Sequence, residues 1–161
     1  MAGSLADRGR VAKGPNRSEA TPDLVVEVRR ALHGQHPLAL LDLVSMLLAT
    51  LDPRRRNPFD FAEAEHRKHV TRDELIESFL QTPLPETSAL LAVIAEMDSD
   101  ELMRARIRKE LAARYPVLPA WLANLRDVVV HRAAEMLHVL GDGDDVLLGA
   151  RIDGHELTCL V

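Results

Sequence analysis

Residues 126–161 read RDVVVHRAAEMLHVLGDGDDVLLGARIDGHELTCLV, and how this stretch is read decides the fold. Asp142-Gly143, inside GDGDD, and Asp153-Gly154 separate runs rich in Val, Leu and Ile. Both are hairpin dipeptides, because glycine accepts the positive φ that a tight turn demands. Val128, Val129 and Val130 form a β-branched triplet that disfavours helix, although residues 131–140 alone contain acceptable helix formers. The reading adopted is strands at 127–132, 136–140, 145–152 and 155–161. In the last of these Leu157, Cys159 and Val161 alternate with Glu156, Thr158 and Leu160, and the strand is apolar up to the final residue. Sheets shield their edges with charge, proline or a covering element. An apolar final strand therefore implies that another element covers it, that it lies centrally in the sheet, or that the chain is a fragment of a longer protein.

Outward from this stretch the pattern turns helical. Thr21-Pro22-Asp23 has the order of a cap, a first-turn proline and a first-turn acid, predicting a helix to about Leu32 that Gly34 ends. His36-Pro37 opens a second helix, apolar on nearly all sides from Leu38 to Leu51 and expected to be the centre of the helical layer. Thr71 and Glu74 have capping-box spacing ahead of a helix from Arg72 to about Gln81. Further helices are predicted over 86–97, with Leu90, Leu91, Val93, Ile94 and Met97 inward, and over 100–115. The latter places Leu102, Met103, Ile107 and Leu111 inward, with Arg104, Arg106, Arg108, Lys109 and Arg114 pointing elsewhere. Trp121 and Leu122 are read as a short helical turn at the joint between the layers.

These expectations define a single α+β domain over 21–161. It is predominantly helical, with about six helices (21–123) leading into a small C-terminal antiparallel sheet of three to four strands, a meander over 126–161. Residues 1–20, rich in glycine and scattered charge, are read as a disordered tail.

Composition narrows the function classes. The lone cysteine, Cys159, allows no intramolecular disulfide, and the opening residues lack the apolar body of a secretory signal, so a cytoplasmic location is expected. The Leu38–Leu51 run is too short to cross a bilayer and carries Asp42. A net charge of −5 and 3% aromatic residues weigh against nucleic-acid binding and base stacking.

Several residue groups are candidates for chemistry. Glu63 with His66 and Glu135 with His138 are Glu-x-x-His pairs that on helices would set a carboxylate and an imidazole on one face, as in a bundle metal site. On a strand the same spacing sends the two side chains to opposite faces, and the first pair lies in a very polar segment. His131, Glu135 and His138, or His66 and His69, could serve as acid-base groups. Ser45 and Ser78 lack a nucleophile-elbow context, and no phosphate-loop or dinucleotide fingerprint is present. Cys159, inside an apolar strand, reads as a buried small hydrophobe. The Gly141–Asp145 carboxylates lack the spacing of a calcium loop and are explained by a turn.

Arg54, Arg55 and Arg56, with Arg104, Arg108 and Lys109, could form a basic patch. Residues 71–100 hold one Arg against seven acidic residues, so charge is segregated along the chain in a way that suits docking to a complementary protein surface. The expected function is a non-catalytic protein-interaction or regulatory module, without cofactor. It would act on a protein partner or by self-association through the C-terminal strand edge. The alternatives are a metal-dependent or hydrolytic enzyme using the Glu-x-x-His pairs, and a nucleic-acid binder using the arginines.

Overall fold

The computed structural model describes residues 20–34, 36–52, 70–137 and 144–160. Among them are six α-helices, α1 (Ala20–His33), α2 (Pro37–Leu51), α3 (Arg72–Leu80), α4 (Pro85–Met97), α5 (Glu101–Arg114) and α6 (Ala120–Ala123), then a 3₁₀ turn at Leu125–Asp127. Three strands follow: β1 (Val129–Leu137), β2 (Asp144–Ile152) and β3 (His155–Leu160). The chain is thus a mostly helical α+β fold with a C-terminal antiparallel sheet. Most of the 1–20 stretch, Arg54 to Arg56, Glu63, His66, His69, His138, the Asp142-Gly143 turn and Val161 lie outside the described residues.

Local signals placed the helix ends. Thr71 Oγ1 accepts the Glu74 amide at 3.2 Å while the Glu74 carboxylate accepts the Thr71 amide at 2.8 Å, a reciprocal capping box at the start of α3. Asp100 caps α5 by accepting the Leu102 and Met103 amides at 2.9 and 3.3 Å. The Asp98 carboxylate, buried at the end of α4, accepts the Asp100 amide and pairs with Arg72 at the start of α3. The helix ends are thereby tied to one another. α1 begins at Ala20, one residue before the Thr21 cap that the sequence suggested.

The centre of the helical part is α4, not α2 as the apolar run at 38–51 suggested. Nine of the thirteen α4 residues are buried, and α1, α2, α3, α5 and α6 all pack against it. Small side chains at Ser88, Ala89 and Ala95 let neighbouring backbones come close, while Leu90, Leu91, Val93 and Ile94 fill the space between them. α2 buries only Pro37, Leu40 and Val44 completely and leaves Met46 56% exposed. Composition favoured α2, but burial follows the number of neighbours.

α5 corrects two further expectations. Leu102, expected inward, is 83% exposed, whereas Ile107 is buried and Met103 and Leu111 pack partly against the core. Arg114, expected outward, has a side chain only 7% exposed. It donates to the carbonyls of Phe79 (3.2 Å), Leu80 and Thr82 (3.4 Å) and pairs with Glu110 at 3.0 Å. The end of α3 presents carbonyls with no helical partner, and a cation that reaches them satisfies several at once. Tyr115 then closes α5 in the left-handed conformation, with φ of 47°.

The sheet is a meander of order β1-β2-β3. Asp153 and Gly154 have φ of 45° and 81°, the signature of the two-residue turn the sequence predicts, and Ile152 faces His155 across it. No break separates the strands expected at 127–132 and 136–140: Val129–Leu137 is one strand, because nothing in Ala133-Ala134-Glu135 can turn the chain, and 138–140 lie outside the described residues. The register slips by one residue between Val130, opposite Ala150, and Arg132, opposite Gly149, making His131 part of a β-bulge. Glycine is needed opposite it: a Cβ on Gly149 would lie 3.2 Å from the Cβ of Arg132 and 3.5 Å from the His131 ring.

Ala150, Ile152 and Leu157 are the buried residues of the sheet, and they join the helical core. By the register they share one face with His155, whose ring meets that of His36, ahead of α2, edge-on at 5.9 Å. The sheet is attached at its β2–β3 end, and β1 stands clear of the core.

Candidate functional site

The sheet is where the fold leaves most unfinished. β1 is exposed at all nine positions, and Val128, Val129, Val130, Met136, Leu137 and Leu160 are each more than 40% exposed. On an edge strand a β-bulge with an adjacent charged residue obstructs pairing, and β1 carries both in His131 and Arg132. β3 lacks that protection. The two-residue turn makes Ile152 and His155 a hydrogen-bonded pair, which fixes the alternation along the strand. His155, Leu157 and Cys159 direct their amides to β2, whereas Glu156, Thr158 and Leu160 direct theirs to the open edge. Cys159, expected to be buried, is exposed, because the strand leaves the core after Leu157.

The face of the sheet away from the helices carries a polar cluster. Glu156 lies opposite Arg151 in the register and accepts its guanidinium through Nε at 2.7 Å, while His131 Nε2 lies 2.8 Å from the other carboxylate oxygen. Hydrogen bonds from Arg151 and then from His131 hold the Glu156 carboxyl below the ordinary carboxylate range. The bulge places His131 on this face. Here Glu156 is the middle member of a hydrogen-bonded chain, and it anchors β3 to both other strands.

The other predicted groups do not assemble into a site. Glu135 is exposed on β1, and its proposed partners Glu63, His66 and His138 lie outside the described residues. Among the described residues no group of three or more His, Cys, Asp or Glu side chains could hold a metal ion. Of the predicted patch, Arg104 donates to the Ala95 carbonyl at 3.1 Å and pairs with Glu101 at 2.8 Å, and Arg108 lies near Glu96 and Glu101. Lys109 is exposed. Carboxylates face both arginines, so this part of the basic cluster is largely neutralised. Ser78 donates to the Leu75 carbonyl inside its own helix, and Ser45 is exposed on α2.

Sequence reasoning missed two features, the Arg151–Glu156–His131 chain and a groove beside α4 lined by Ala92, Glu96, Arg108, Leu118, Leu122 and Arg126. Residues 151 and 156 flanking a two-residue turn carry the signal for the first, since that spacing makes them cross-strand neighbours. No helix among the described residues is long and apolar enough to cross a membrane. The described residues form a mostly helical α+β fold in which the outer edge of β3 has no paired strand among the described residues. Comparisons with protein-family models, with curated proteins and with solved structures find no match.

Proposed function

We propose that this chain is a non-catalytic protein-interaction module that works by strand addition at the outer edge of β3, with a second copy of itself as the partner. The observation that carries the reading is the edge itself: the amides of Glu156, Thr158 and Leu160 face outward on a strand that no bulge or proline protects. A twofold axis at Thr158 gives an antiparallel pair in register. Thr158 then faces its own copy, Leu157 faces Cys159, and Glu156 faces Leu160. No like charges oppose each other, and both faces gain contacts of the kind that stabilise sheets. The resulting six-stranded sheet would also place the exposed apolar residues of two copies close together.

The test is sedimentation velocity over a concentration series. The mean mass is expected to rise from the 17.9 kDa of one chain towards twice that value. Thr158→Pro removes an outward amide without touching the ladder to β2 and is expected to hold the protein at one chain. A wild type that stays a single chain at all concentrations, or a proline variant that associates equally well, overturns the proposal.

A further inference from the structure

α5 and α6 are joined by Tyr115-Pro116-Val117-Leu118-Pro119, which forms neither helix nor strand. Proline fixes its own φ and pushes the residue before it towards extended conformations, so a Pro-x-x-Pro run favours the polyproline II helix. Pro119 has φ of −55° and ψ of 146°, close to that conformation. A polyproline II helix turns once in three residues. Pro116 and Pro119 therefore share one edge, Val117 lies on the second and Leu118 on the third. Exposure follows this division: Val117 is 96% exposed, and Leu118 packs against the helical core.

Both ends of the segment are held. Arg114, just before it, is fastened to the carbonyls at the end of α3. Just after it, the Pro119 carbonyl accepts the Leu122 and Ala123 amides at 3.0 and 3.1 Å. Ending α5 and starting α6 accounts for the two prolines. It leaves Tyr115, 87% exposed, and Val117 forming with them an apolar ridge that nothing covers among the described residues. A ridge already held in this conformation loses little entropy on binding, and it fits grooves lined by aromatic rings. We infer that the outward face of the ridge, Pro116, Val117 and Pro119 with Tyr115 at its head, is read by a partner protein domain that carries such an aromatic-lined groove. This surface is separate from the β3 edge and does not depend on pairing there.

Purified SH3 and WW domains serve as probes, since both have grooves of this kind, and calorimetry against the full chain is the readout. Saturable binding of at least one probe with a dissociation constant on the order of 100 μM is expected. Val117→Asp, which would bring a charge into the groove, should weaken it at least about tenfold. Pro116→Ala, which loosens the ridge, should weaken it about threefold. Leu102→Asp alters a side chain that is also highly exposed, at the far end of α5, and should bind as the wild type does. Val117 and Leu102 both stand in water, so urea unfolding should find both aspartate variants as stable as the wild type within about 0.5 kcal/mol. Failure of both probes to saturate by about 1 mM overturns the inference. Undiminished binding by Val117→Asp, or an equal loss in Leu102→Asp, overturns it as well.

Discussion

Arg114 has its charge buried against the carbonyl end of α3, so removing it strips the Leu80 carbonyl of its donor and withdraws one donor from the carbonyls of Phe79 and Thr82, which keep the Thr82 amide and the Thr87 hydroxyl. Arg114→Gln is expected to cost about 2–4 kcal/mol in urea unfolding, whereas Lys109→Ala, on the exposed face of the same helix, should stay within about 0.5 kcal/mol. This role was invisible in the sequence. α5 is rich in arginine, and spacing alone does not show which arginine meets the end of another helix. Glu86, by contrast, offers a pH test. Burial pushes its carboxyl up, but its own amide and the Arg29 guanidinium, 2.6 Å away, outweigh that and hold it below the ordinary glutamate value. A lowered folded-state value means that the contribution of Glu86 is complete above the ordinary carboxylate range and disappears as pH falls through the lower value. Between about pH 5 and pH 3 the wild type should therefore lose more stability than Glu86→Gln, as read from unfolding midpoints.

Among the elements, α4 and α2 separate what patterning reveals from what it does not. Caps and turns were legible because they depend on neighbouring residues: Thr71 with Glu74, Asp100, and Asp153-Gly154 all behave as their local chemistry demands. The place of α4 at the centre was not, since Glu86, Thr87 and Ser88 look like surface residues until five other helices surround them. Ile94→Ala should accordingly cost about 2–5 kcal/mol and Met46→Ala almost nothing in denaturant unfolding. The glycines of the sheet give a sharper comparison. Alanine at Gly154 meets nothing within 4 Å, so its cost of about 1 kcal/mol comes from the positive φ alone. At Gly149 the added methyl presses on Arg132 and His131, and the substitution should also shift the backbone resonances of the bulge.

At the scale of the whole molecule, the sheet and the helices are coupled through few of the described residues. The α+β class and the order of helices before strands were legible in residues 126–161. The isolation of β1 was not, because Val129, Val130 and Leu137 read as residues that need a core. Native-state hydrogen exchange should reveal two tiers, with β1 amides exchanging through local opening and α4 amides only through global unfolding. Similar protection in β1 and α4 for a single chain in solution would contradict this division.

The narrow attachment through Ala150, Ile152 and Leu157 has an evolutionary consequence. Substitutions on β1 or on the outer half of β3 leave the helical core intact, so natural variation can accumulate there at little cost in folding. A lineage could alter the exposed faces of its sheet while keeping the helices as an unchanged chassis.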